Sequence, residues 1–210
     1  LLPGKRQLNS GGIGLRRKKK SRRWFYWALF VCLVFAAWQI WRSDEVQMRF
    51  VYLWPYQEEI IEYSKKNKLD PFLVAAVIKN ESGFRIDAKS KPGAVGLMQI
   101  MPQTGEWIAG EMGMQNFQMA KLAEAETNIR MGCWYLSELE YEFGHNRVLM
   151  LTAYNAGRGN TKNWMEEFNW DTDFGTVEAI PYVDTREYVR KVLYDRGQYY
   201  KLYKNRIDNY

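Results

Sequence analysis

Val77-Ile78-Lys79-Asn80-Glu81-Ser82-Gly83-Phe84 reads as the end of an apolar helix that carries one carboxylate, Glu81, and breaks at once on a serine and a glycine. The helix has a matching start. Asp70 is a good N-cap, and Pro71 suits the first helical position, where a missing N–H costs nothing. At about 100° per residue Glu81 sits almost directly over Val74, on the side of Val77 and Ile78. A carboxylate on a buried face is costly to ionise, so its pKa should rise, and the negative end of the helix dipole pushes the same way. A glutamate that keeps its proton beside a turn has the properties of a general acid. Taken alone, the same residue reads as a surface glutamate at a helix end.

The sequence around this helix predicts more helices. Gln57 to Lys68 sets Ile60, Ile61 and Tyr63 among charges, an amphipathic pattern. Ser82 to Ile100 holds Gly83, Pro92, Gly93 and Gly96 between short apolar pieces, which predicts a loop with a possible small β-hairpin. Pro102 opens a short helix to about Glu111, with Glu106 and Glu111 on its polar face. Leu122 to Phe143 is expected to be the longest helix, ended by Gly144. Arg147 to Ala156 reads as a compact helix stopped by Gly157, and Asn160 to Phe168 as another. Residues 169–183 are acidic and aromatic without a period, and Asp184 is expected to cap a last helix through about Tyr203. Short helices with short connections imply an all-α, mainly helical globular domain.

Charge and hydropathy divide the chain. The net charge of +6 comes from the first 23 residues, which hold nine cations and no acid. Removing those nine from the 30 basic residues leaves 21 against 24 acidic ones. The basic balance therefore belongs to a tail, and nucleic acid is not an expected partner. Trp24 to Trp41 follows with only Gln39 strongly polar, and its 18 residues reach roughly 27 Å, close to a hydrocarbon core. Trp24, Trp27, Trp38 and Trp41 gather near its two ends, as interfacial aromatics do. The apolar run continues past Ala36-Ala37, which favours an uncleaved anchor over a signal peptide. The positive-inside rule then places the N-terminus in the cytoplasm and the rest outside the cell membrane, a single pass. The chain opens at Leu1 and not at methionine, which suggests a processed or truncated start. The expected organisation is a disordered basic tail over 1–23 and an anchor in the lipid bilayer over 24–41. A stalk over 42–55, the globular domain over 56–204 and a tail over 205–210 follow.

Two cysteines, Cys32 in the apolar run and Cys133 in a later helix, make a disulfide improbable. One histidine, His145, rules out histidine-based metal clusters and makes a serine–histidine–aspartate triad unexpected.

Four pieces stand in order: Glu81-Ser82-Gly83-Phe84, Gly96-Leu97-Met98-Gln99-Ile100-Met101-Pro102, Ala153-Tyr154-Asn155-Ala156-Gly157, and Ile180-Pro181-Tyr182-Val183-Asp184-Thr185-Arg186-Glu187-Tyr188-Val189. Together they resemble the catalytic domain of soluble-type lytic transglycosylases, which has a goose-type-lysozyme-like fold, over about residues 56–204. The resemblance implies action on peptidoglycan glycan strands: cleavage of the β-1,4 bond between N-acetylmuramic acid and N-acetylglucosamine, with a 1,6-anhydromuramoyl end. It assigns the catalytic acid and base to Glu81. It places Ser82, Met98, Gln99, Tyr154, Asn155, Tyr182 and Tyr188 along the substrate groove, and it calls for no metal and no cofactor. Asp184 stands where many members carry a glutamate. Glu178 matches a position that usually supports the groove or the fold, and no protein partner is implied. Two other functions fit the same residues: a goose-type-like lysozyme, in which water attacks, and an idle wall-binding protein.

Overall fold

The computed structural model describes residues 18–207, in two compact units that meet in sequence between Val51 and Tyr52. The stretch 1–17, most of the expected basic tail, and 208–210 lie outside the described residues.

The first unit holds α1 (Lys18–Trp41) and α2 (Asp44–Phe50). Residues 18–23, expected to belong to the disordered tail, form the first turns of α1. Arg22–Trp41 is long and apolar enough to cross a membrane, and the large apolar side chains along it are exposed. The helix breaks at Ser43, whose hydroxyl donates to the Ile40 carbonyl at 2.7 Å. The stalk expected over 42–55 is thus partly a second short helix, opened by Asp44 and Glu45 in its first turn, where acids favour a helix.

The second unit begins at Tyr52, four residues before the expected start at 56. Its lead-in is packed: Trp54 meets Phe72, Tyr199 and Tyr203 at ring distances of 5.6, 5.6 and 5.1 Å. Seven α-helices follow: α3 (Gln57–Lys66), α4 (Pro71–Glu81), α5 (Pro102–Glu111), α6 (Ala125–Glu142), α7 (Arg147–Ala156), α8 (Arg158–Glu167) and α9 (Val183–Tyr203). Short 3-10 turns lie at Met119–Ala123 and Val177–Ala179. The described residues contain no strand. The hairpin expected in 82–100 is reduced to two isolated bridges, Lys89 with Val95 and Val95 with Ile100.

The α4 helix is the axis of the core. Asp70 caps it by accepting from Phe72 N at 3.0 Å, and Pro71 through Ile78 are all buried. A helix apolar all round belongs inside a domain. It packs most extensively against α9. Several helix limits differ from those expected: α3 ends at Lys66 and not Lys68, and α8 runs from Arg158 to Glu167 and not from Asn160 to Phe168. Leu122 lies in the 3-10 turn, so α6 starts at Ala125, and the 21-residue α9 exceeds its 18 residues. Asp184 is inside the first turn of α9 and does not cap it. The cap position is Tyr182, with no side-chain bond.

Candidate active site

Glu81 ends α4, and the chain then turns away through Ser82 and Gly83, whose φ of +61° suits glycine. The carboxyl is largely enclosed, and desolvation raises its pKa from 4.5 to about 7. The Tyr188 hydroxyl of α9 faces it and acts in the opposite direction, lowering the value. That hydroxyl is buried and makes no well-aligned hydrogen bond, so the pair is a near contact. Tyr154 of α7 is the other neighbour. Burial first, and then the charge of Glu81, hold both phenols well above their ordinary pKa, so both are neutral donors at physiological pH.

The loop after α4 is bound to this cluster through its backbone. Tyr154 Oη donates to the Met98 carbonyl at 2.7 Å, and the Met98 N–H donates to Asn128 Oδ1, also at 2.7 Å. Asn128, fully buried in α6, also donates through Nδ2 to the carbonyls of Val95 (3.0 Å) and Leu122 (2.8 Å). Gly96 sits against this clamp with a φ of +82°, and a Cβ there would lie 2.3 Å from Asn128 Nδ2. Glycine is therefore required at 96 for both conformation and space.

The expected site residues divide into three groups. Glu81, Tyr154 and Tyr188 come together from α4, α7 and α9. Ser82, Met98 and Gln99 stand beside them with their side chains engaged inside the protein. Ser82 Oγ donates to the Ile78 carbonyl at 3.2 Å, the Met98 side chain is buried, and Gln99 Nε2 donates to the carbonyls of Ala88 (3.1 Å) and Gly96 (2.9 Å). Asn155 and Tyr182 are exposed, and the Tyr182 ring packs edge-on to Trp164 at 4.7 Å. The other carboxylates stand apart. Glu178 is exposed and pairs with Arg190 at 3.3 Å, with its pKa lowered first by a bond from its own backbone N–H. Asp184, Glu106 and Glu111 are exposed.

An aromatic row continues outward from Tyr154. Its ring meets Tyr135 at 5.7 Å, and Tyr135 meets Trp107 at 6.0 Å. Arg158 covers the Trp107 ring at 5.1 Å while pairing with Glu142. Rings of this kind offer the flat, amphipathic walls that sugars use. Tyr135, Trp107 and Asn128 were not singled out from the sequence. Asn128 leaves a trace there, as an amide on the α6 face that carries Gly132, Leu136 and Leu139. Among the described residues no group of His, Cys, Asp and Glu side chains could hold a metal ion.

The transglycosylase SLT domain family matches residues 58–174. The soluble lytic murein transglycosylase of Salmonella typhimurium is 33% identical to this chain, over 85% of the chain and 27% of that protein. The membrane-bound lytic murein transglycosylase C of Actinobacillus pleuropneumoniae is 27% identical, over 69% and 45%. The X-ray structure of an inactive mutant of lytic transglycosylase Slt from Pseudomonas aeruginosa superposes with a TM-score of 0.66 at 31% identity, covering 78% of this chain and 26% of that one. The chain thus spans about a quarter of the length of the soluble relatives that it matches.

Proposed function

The chain belongs to the transglycosylase SLT domain family, and from that premise we propose that it is a lytic murein transglycosylase with Glu81 as its only catalytic carboxylate. It would cut the MurNAc–GlcNAc β-1,4 bond of peptidoglycan and leave a 1,6-anhydro-MurNAc end. The observation that carries this reading is the enclosed Glu81, with its pKa raised to about 7 and two neutral phenols for neighbours.

Most glycosidases use two carboxylates, and substrate-assisted enzymes are the exception. Glu81 protonates the leaving glycosidic oxygen. The 2-acetamido oxygen of the muramoyl residue stabilises the positive charge at C1, where the bond has broken. Glu81, now a carboxylate, takes the proton of the same sugar's C6 hydroxyl as that oxygen bonds to C1 and displaces the acetamido oxygen. A pKa near the working pH serves both halves. Tyr188 and Tyr154 supply donors beside the carboxyl, Asn155 and Tyr182 stand at the groove surface, and Ser82, Met98 and Gln99 shape its floor. Muropeptide masses test the reading, since an anhydro end is lighter by one water than the reducing end that a lysozyme leaves. An idle wall-binding protein releases neither.

The anchor adds a location. Its support is Arg22–Trp41 of α1, long and apolar enough to cross a membrane and exposed over those residues. In the proposed topology α1 crosses the cell membrane once, with the N-terminus cytoplasmic and the domain facing the wall. Protease added to intact spheroplasts should remove the domain from such a protein.

A further inference from the structure

A second buried carboxylate, Asp195, stands on α9 seven residues beyond Tyr188. Seven residues are close to two helical turns, so the two side chains lie on one face of α9. Asp195 is 6% exposed and accepts three hydrogen bonds. Tyr52 Oη reaches Oδ1 at 3.1 Å, and Lys79 Nζ and Asn80 Nδ2 each reach Oδ2 at 2.9 Å. Lys79 and Asn80 are the two residues before Glu81. The same face of α9 thus presents Tyr188 to the carboxyl of Glu81 and Asp195 to the turn that carries it.

Apolar packing already joins α4 to α9, and a buried ion pair adds little to that, because desolvating its charges offsets most of their attraction. What the network adds is directional. Two of the three bonds on this carboxylate, from Lys79 and Asn80, fix the rotation of the last turn of α4, which apolar contact does not. The other end of α4 is tied to the next residue of α9, with Arg196 Nε to Asp70 Oδ2 at 2.6 Å. We propose that Asp195 is a positioning residue for Glu81: it gathers Lys79 and Asn80 onto α9 and so holds the Glu81 carboxyl against Tyr188 and Tyr154. The role in the reaction rests on the function proposed for Glu81, but the positioning itself does not.

The groups facing Glu81 are Tyr188 from α9 and Tyr154 from α7. Those facing Asp195 are Lys79 and Asn80 from α4, Tyr52 from the lead-in and Tyr199 from α9. When the clamp is cut, the turn rotates and water reaches Glu81, so its titration should move toward the ordinary carboxylate range. The test is a carbon-13 NMR titration of the Glu81 carboxyl in the full chain in detergent micelles. Asp195→Asn should lower the midpoint by about one unit or more. It should also cut kcat on soluble glycan strands about tenfold or more with KM little changed, as expected of a displaced catalytic group. Asp70→Asn cuts the tie at the start of α4, ten residues before Asn80, and should lower the melting temperature with the midpoint in place. Should Asp195→Asn fail to fold, Asn80→Ala, which keeps both charges, should shift the midpoint in the same direction. A midpoint unmoved by these clamp variants, or moved as far by Asp70→Asn, overturns the proposal. A shifted midpoint in a chain that releases no anhydro product keeps the clamp and removes the proposed function.

Discussion

Tyr154 Oη donates to the Met98 carbonyl at 2.7 Å, joining α7 to the loop that follows α4. The bond links two segments 56 residues apart, and its donor is also a neighbour of Glu81. Tyr154→Phe should therefore act twice. It leaves a buried carbonyl without its donor, at a cost of about 1–3 kcal/mol. It also removes a polar group beside the Glu81 carboxyl. Thermal unfolding by circular dichroism should show the stability loss, and kcat on glycan strands should fall with it.

The Asn128 clamp makes a prediction about stability away from the reacting atoms. Its amide serves Met98 N–H and the carbonyls of Val95 and Leu122. Asn128→Ala strands several buried groups at once, and should cost about 2–4 kcal/mol. Asn128→Asp keeps the acceptor for Met98 but loses both donated bonds, so it should not rescue the fold. The melting temperatures of the two variants check this.

The raised pKa of Glu81 ties stability to pH. The folded value is about 7 against an ordinary 4.5, so between these values the fold holds a proton that the unfolded chain releases. The Glu81 contribution is thus complete below about pH 4.5 and is lost as pH rises through about 7. Glu81→Gln has no such loss. It should melt close to the parent at pH 4 and gain about 3 kcal/mol over it at pH 8. Melting curves at the two pH values measure the difference. Activity should fall along the same alkaline limb, because the general acid must be protonated.

Tyr188 shifts that limb. Its hydroxyl lowers the Glu81 pKa and makes no well-aligned hydrogen bond in the free protein. Tyr188→Phe should therefore cost under about 1 kcal/mol of stability. The alkaline limb of kcat should move to higher pH and the rate below it should drop. A limb that moves to lower pH would contradict the placement of this hydroxyl.

Much of this arrangement is legible in the sequence where local rules are strong. The Asp70 cap, Pro71 and the apolar run fix α4 to the residue, and Gly157 ends α7 where expected. The burial of Glu81 follows from its spacing to Val74 and Ile78. Long-range contacts are not legible. Asp195 looks like any polar residue of an amphipathic helix until α9 is laid on α4. The lead-in from Tyr52 reads as a stalk because its partners Tyr199 and Tyr203 lie about 150 residues away in the chain. Met98 and Gln99 are conspicuous in the groove motif, yet their side chains turn inward, since the loop must satisfy its own carbonyls before it can present a surface.

The central claim is that Glu81 alone supplies and recovers the proton. The most direct measurement is the mass spectrum of muropeptides released from purified peptidoglycan by the full chain and by its Glu81→Gln variant. The account predicts anhydro ends from the parent chain and a loss of at least about a thousandfold in their release by the variant. Anhydro ends formed by Glu81→Gln at close to the parent rate would contradict it.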